Sequence, residues 1–382
     1  VLVVGITFFL SNKRTIWNNG GDQHCVFLRQ LLSTLSDVEV LAINGGDGEK
    51  APAGMLLDGL GINFHRLPDV IDRLDMLVEM GAQVSAEDVE RVHAHGGKVV
   101  AFRYGNSFVI DAERMIHGKP AGSIFNGARF DEVWTNPQHE RTCRSWWEVN
   151  HRCPVRVLPH IWSPVFVQRA VREFKSDLVF GYRPNARRGR VVVAEPDINI
   201  VKTCMVPLLA CEVVERRRPD VLGDVYVLNS EHLKKHLTFE QFASHLDVVR
   251  AESRNSPGTR KCSFEARYRL PWFMSAYGDV LLSHQWENAL NYAWYDAMYG
   301  GWPVVHNSDM LPVDVGFRYS GFDAQDAARA LEAALIESRE SAAERQRREH
   351  LFLLGLLPTA AGPREAHARA LHDVLGRSLL SS

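Results

Sequence analysis

GDVLLSHQWENALNYAWYDAMYGGWPVVHNSDML, residues 278–311, reads as strand, helix, strand. Asp279 to His284 is a leucine and valine run that ends in polar residues with no hairpin turn, the pattern of a buried parallel strand. Asn288 to Tyr299 has helical spacing, with Leu290, Ala293, Trp294, Ala297 and Met298 on one face. Gly300-Gly301 stops that helix, and Pro303-Val304-Val305 opens the next strand. In a βαβ unit, ligands sit beyond the carboxyl ends of the strands. The candidate chemistry therefore lies around His284 to Asn288 and around His306 to Met310, with His306, Asn307 and Ser308 as candidates. Glu287 is also placed to put a negative charge in the first helical turn.

The 382 residues suit two domains of similar size. With 46% hydrophobic and 24% charged residues and a net charge of -2, the chain reads as a folded soluble protein rather than a polyanion binder, so no nucleic-acid partner is expected. Six cysteines are scattered without a C-x-x-C pair, which predicts reduced thiols in a cytoplasmic protein and no structural zinc. No apolar run approaches the ~20 residues of a membrane span. The first strand begins at Val1, so no signal peptide is expected among these residues.

Val1 to Phe9 predicts a central strand, followed by the loop SNKRTIWNNGGD and a helix over residues 23–35. Gly20-Gly21 ahead of a helix lets backbone amides approach an anion or a sugar, although a plain β-α turn explains the pair nearly as well. Asp22 and His24 beside it are candidate bases toward an acceptor hydroxyl, and Asp22 is equally a candidate N-cap. Further strands are expected at Val38 to Ile43, Met76 to Val78, Lys98 to Arg103 and Glu132 to Thr135, with helices at Ser85 to His95 and Gln138 to Val149 between them. This alternation predicts a parallel doubly wound sheet. Arg103, Tyr104 and Asn106 cluster where a strand ends and are candidate ligand contacts. Trp146-Trp147 reads as core or packing. Val155 to Ile161 is a strand broken by two prolines, Pro159 and Pro164, which mark a boundary that includes His160.

Arg169, Arg172, Lys175, Arg183, Arg187, Arg188 and Arg190 gather with few acids. The patch faces either anionic lipid or a charged acceptor, as in a peripheral membrane contact, or is simply solvated. A second α/β series follows: strand Val191 to Ala194, helix Val201 to Arg217 with Lys202 in its first turn, strand Asp224 to Leu228, helix Phe239 to Ala251 and strand Cys262 to Tyr268. Lysine at a helix start runs against the dipole preference and calls for an anionic partner. Arg260 offers a second cation, with an exposed loop end as its other reading. Helices at Ala324 to Glu337, Ala342 to Leu356 and Glu365 to Leu379 complete the chain.

Asp296-Ala-Met-Tyr-Gly-Gly-Trp-Pro-Val-Val305 resembles the Glu-Ala-Met-x-x-Gly-x-Pro-Val-Val signature of nucleotide-sugar glycosyltransferases with the GT-B fold, and Gly20-Gly21 with Leu28 and Leu32 is similar to their first loop. The chain also resembles an uncharacterised bacterial family of this type. The resemblance implies two Rossmann-like doubly wound α/β domains facing across a cleft: 1–163 for the acceptor, 164–360 for the donor, and 361–382 as a C-terminal helix crossing back to the first. It further implies Asp296 at the ribose and Asn288 where the signature's other glutamate stands, with Glu287 one place before it. Lys202 becomes one of two cations at the sugar diphosphate, and Glu195 lies near where the other is expected. The implied activity is transfer of a sugar from a nucleotide-diphosphate donor to a hydroxyl of a glycan or lipid-linked acceptor in bacterial surface-glycan synthesis. It would take place in the cytoplasm, at or near the inner face of the membrane, with no metal or separate cofactor. An epimerase or hydrolase on nucleotide sugars, or a degenerate member that binds a glycan or nucleotide without turnover, are the other readings. The missing G-x-G-x-x-G spacing argues against hydride transfer.

Overall fold

Val4, Ile6 and Phe8 are buried on one side of the first strand and Gly5 and Thr7 on the other, as in a strand covered on both faces. The computed structural model describes residues 1–122, 124–175, 177–183 and 189–376. The chain divides into two units, Val1–Phe166 with Leu354–Ser382, and Val167–Leu353. The first unit holds strands β1 (Leu2–Phe8), β2 (Val38–Asn44), β3 (Phe64–His65), β4 (Met76–Glu79), β5 (Lys98–Arg103), β6 (Glu132–Thr135) and β7 (Val155–Val157). They are parallel throughout, in the order β3-β2-β1-β4-β5-β6-β7. Its helices include α1 (Gly20–Leu32), α2 (Ala86–Ala94), α3 (Ser107–Ile116) and α4 (Glu140–His151). The last helix of the chain, Ala361–Val374, packs on α1.

The second unit holds β8 (Gly189–Val193), β9 (Leu222–Val227), β10 (Cys262–Phe264), β11 (Val280–Leu282), β12 (Val304–His306) and β13 (Phe317–Arg318). Its order, β10-β9-β8-β11-β12-β13, is again parallel and repeats the plan of the first sheet. Both are doubly wound sheets whose order reverses beside the first strand, at β1/β4 and at β8/β11. Helices α5 (Met205–Arg217), α6 (Leu270–Tyr277), α7 (Tyr292–Tyr299) and α8 (Ala324–Leu335) cover the second sheet. Each sheet has its own apolar core, around Leu77, Val92, Val133 and Trp147 in the first unit and Val193, Leu208, Val225, Leu282 and Leu331 in the second.

Several elements differ from the sequence expectation for local reasons. Helix α7 starts at Tyr292 rather than Asn288, because Asn291 caps it by accepting the Ala293 N–H at 3.1 Å. Helix α1 starts three residues early, capped by Asn19, so Gly20 and Gly21 form its first turn and Asp22 is not its cap. Helix α5 starts at Met205, leaving Lys202 in the preceding loop, where the Asp197 carboxylate accepts the Cys204 N–H at 2.8 Å. The stretch 239–251 is two helices, Leu237–Ser244 and Asp247–Arg250, separated at buried Leu246. Strand β7 ends at Val157, two residues before Pro159. The six cysteines are unbridged, and all but Cys153 are buried. Among the described residues, no helix is long and apolar enough to cross a membrane.

Candidate functional site

Val193 and Leu282 are register partners at the carboxyl ends of β8 and β11. The residues that follow them, Glu195 and Ser283-His284-Gln285, are all at most 4% exposed. The Ser283 hydroxyl donates to Glu195 Oε1, and the His284 N–H donates to the same oxygen at 3.2 Å, leaving Oε2 buried without a partner. Lys202 is half-buried close by. Its backbone bridges that of Gln285, and the Trp286 N–H donates to Val201 O at 2.8 Å. Burial pushes the Glu195 carboxyl up to about 7, partly offset by Ser283 and Lys202. Burial likewise pulls Lys202 down, and Glu195 opposes the shift.

The state of His284 is fixed by its neighbours. The Tyr319 hydroxyl donates to Ser283 O at 2.9 Å, so its oxygen accepts from His284 Nδ1 at 3.0 Å and the proton sits on Nδ1. Nε2 is then a bare acceptor, buried and without a partner. Burial lowers this histidine to about 4, so it is neutral at pH 7. Gln285 Nε2 is also unpartnered. Asp197, Asn229 and Glu287 adopt left-handed backbone (φ 52, 61 and 52°) in the loops after β8, β9 and β11. For the two acidic residues this conformation costs roughly 1–3 kcal/mol each. Strain and unsatisfied buried polar atoms thus coincide at the point where the strand order reverses.

Most of the other sequence candidates in this unit build the loops. Asn307 clamps Gln285, accepting its N–H at 3.0 Å and donating to its carbonyl at 2.8 Å. Asn288 donates to Gln285 Oε1 at 2.9 Å. The Ser308 hydroxyl donates to Ala289 O at 2.6 Å and accepts the N–H groups of Met310 and Leu311, so those amides are not offered to a ligand. His306 is fully buried, with Nε2 donating to Val315 O at 2.9 Å, Nδ1 accepting the Ser308 N–H at 3.1 Å, and the ring stacked on Trp294. Glu287 lies ahead of α7 and does not cap it, while Asp296 is within α7 and 5% exposed. Arg260 is exposed and precedes β10. In a parallel sheet that is the amino end, opposite the site, so Arg260 does not supply the second cation. Arg190 pairs with Asp279 at 3.0 Å between the amino ends of β8 and β11, and Arg187 and Arg188 lie outside the described residues.

In the first unit, Arg14 grips both oxygens of buried Asp22, at 2.9 and 2.8 Å. His24 is enclosed with His139, His160 and His367, 1%, 1%, 7% and 0% exposed, and burial and these neighbours hold it well below the ordinary histidine value. Gly21 makes room for Tyr104, whose ring carbon Cε2 would lie 2.1 Å from a Cβ there, so the Gly21 backbone approaches a side chain. Gly20 beside it is exposed. Asn106 caps α3 by accepting the Val109 N–H at 3.2 Å and donates to Thr142 Oγ1 at 3.0 Å. Arg103 pairs through Nη1 with Glu79 at 2.7 Å, while its buried Nε and Nη2 are unpartnered. The side-chain amide of buried Asn136, just after β6, is also unpartnered. Sequence reasoning missed Asn136 and Tyr319. His284 fell inside the window 284–288 without being singled out.

The fold matches known structures over almost the whole chain. A glycosyltransferase from Rickettsia africae superposes with a TM-score of 0.60 at 11% identity, covering 99% of each chain. Anabaena Alr3699/HepE in complex with UDP-glucose gives 0.58 at 13%, covering 97% of this chain and 99% of that one. The α,α-trehalose-6-phosphate synthase from Burkholderia multivorans gives 0.58 at 10%, covering 98% and 99%. The protein therefore has the GT-B fold of glycosyltransferases. It belongs to the family described as "protein of unknown function (DUF2827)", whose model matches residues 4–371. Comparison with curated proteins gives no match.

Proposed function

We propose that the protein transfers a sugar from a nucleotide-diphosphate donor to a hydroxyl acceptor, with the donor held in the second unit beyond β8 and β11. The observation that carries this reading is the group of buried, unpartnered polar atoms on Glu195, His284 and Gln285 at the reversal of strand order. The GT-B fold supports it, since Anabaena Alr3699/HepE of the same fold binds UDP-glucose. Lys202 serves the leaving diphosphate as its charge develops, and Asp296 serves the ribose. The acceptor, a glycan or lipid-linked hydroxyl in bacterial surface-glycan synthesis, meets Arg103 and Asn136 beyond β5 and β6. Asp22 and His24 are left out of the base role because Arg14 and the histidine cluster engage them.

One observation favours a second reading, binding without turnover. The site carries Lys202 with its charge answered by Glu195, where the resemblance implies two cations. A thermal-shift panel of UDP, GDP, CDP, ADP, dTDP and their sugar conjugates tests both. Ligand at ~100 times its Kd adds about 2.7 kcal/mol of stability. A selective shift that is weakened by Asp296→Ala, followed by sugar release in the presence of acceptor, is the expected result. A shift without release supports the second reading with a nucleotide ligand, and no shift with any nucleotide overturns the transferase reading and leaves a glycan-binding protein.

A further inference from the structure

The acceptor atoms left unpartnered beyond β8 and β11 are poorly matched to phosphate. His284 Nε2 carries a lone pair and no proton, because Nδ1–H is spent on Tyr319, whose own proton is spent on Ser283 O. An ionised phosphate oxygen also only accepts, so the two cannot form a hydrogen bond. A hydroxyl donates and accepts, and it can pair with a bare imidazole nitrogen, with a carboxyl in either protonation state, and with an amide N–H. Three such groups are His284 Nε2, Glu195 Oε2 and Gln285 Nε2, each buried and without a partner, and the loops after β8 and β9 add two more acceptors, Asp197 Oδ2 and Asn229 Oδ1. Glu195 and His284 meet through the His284 N–H, which donates to Glu195 Oε1, and Gln285 follows in the same loop.

We propose that His284, locked by Tyr319 as a hydrogen-bond acceptor, and Glu195 form a subsite for sugar hydroxyls rather than for the diphosphate. This rests on the reading that the second unit holds the donor, and it leaves Lys202 for the phosphates. Phe322 meets the imidazole in an edge-type contact with ring centroids 4.6 Å apart. Tyr319 is a positioning residue. It touches His284 and Ser283, and it comes from just beyond the two-residue strand β13 at the sheet edge.

Two measurements on the full chain test the assignment. Long-range 15N NMR at pH 7 reads the tautomer without any ligand: His284 Nε2 should appear as an unprotonated ring nitrogen, and Tyr319→Phe should give a mixture of tautomers. A protonated Nε2 in the wild type overturns the proposal. Isothermal titration with UDP-glucose and with UDP then reads the subsite. His284→Phe should weaken UDP-glucose roughly three- to tenfold, the loss of one neutral hydrogen bond, and leave UDP unchanged. Tyr319→Phe should produce a smaller loss for UDP-glucose alone. Equal losses for both compounds, or a loss for UDP only, overturn the sugar assignment while leaving the donor reading intact. If neither compound binds the wild type, the same pair of titrations is run with GDP, CDP, ADP and dTDP and their sugar conjugates, and failure of every pair overturns the assignment and the donor reading together.

Discussion

Replacing His306 by glutamine should flatten the pH dependence of folding in the second unit. In the folded protein both ring nitrogens of His306 are committed, Nε2–H to Val315 O and Nδ1 to the Ser308 N–H, so a second proton would face an N–H with no acceptor to receive it. Burial accordingly lowers the imidazole from 6.5 to about 4. The unfolded chain therefore takes up the proton first, and stability is complete above pH ~6.5 and declines as pH falls toward 4. Between those values the loss from this residue reaches roughly 3 kcal/mol, of which about 2 kcal/mol is present by pH 5. His306→Gln keeps a donor for Val315 O and has no proton to gain. It should cost about 1 kcal/mol at pH 8 through the lost Ser308 contact. Urea denaturation at pH 5 and pH 8, followed by tryptophan fluorescence, reads the difference, since Trp294 stacks on His306 at 5.4 Å. Other buried histidines such as His284 titrate in both proteins and cancel from the comparison. The stability difference between the two pH values should be about 2 kcal/mol smaller in the variant than in the wild type. A variant with the wild-type difference, to within about 0.5 kcal/mol, would refute the reasoning.

Two further outcomes follow from packing. Lys261→Met removes one partner of the buried Lys261–Glu215 pair (2.5 Å) and should cost roughly 3–5 kcal/mol in chemical denaturation, most of it recovered when Glu215→Leu is added. Gly21→Ala drives a methyl group into the Tyr104 ring and should cost about 1–3 kcal/mol by the same assay. The loss should shrink sharply in a Tyr104→Ala background, and an unchanged loss there would mean that the backbone, not the ring, is the obstacle.

The central strands were legible because they are buried on both faces and so read as unbroken apolar runs. Lys98–Arg103 and Glu132–Thr135 have the bounds that the sequence predicts. The edge strands Phe64–His65 and Phe317–Arg318 are too short to show any period. Helix starts were misjudged where an asparagine side chain takes the cap ahead of or behind the apolar pattern, at Asn19 and Asn291. The βαβ reading of residues 278–311 points to the strand end where the buried unpartnered atoms lie, but it does not show which polar groups there hold the loops. Asn307 and Ser308 look like ligand residues in the sequence because polar groups at a strand end bind either a ligand or a neighbouring loop, and here they bind the loop. The Tyr319 contact that fixes His284 spans 35 residues and has no local signature. The sequence order alone argues against Arg260, since a residue that precedes a parallel strand stands at the end of the sheet away from the ligand.

The segment from Leu354 onward belongs to the first unit, and Ala361–Val374 packs on α1 there, with His367 fully buried. This gives the two units different histories on the ribosome. The second unit is continuous in sequence and can complete its core while the rest of the chain is still being made. The first is begun earliest and finished last. The side of α1 that carries His24, next to His367, lacks its covering until the helix Ala361–Val374 has left the exit tunnel. During that interval the nascent first unit is the natural client for a chaperone, and a stop codon anywhere before residue 361 would leave it permanently in that state.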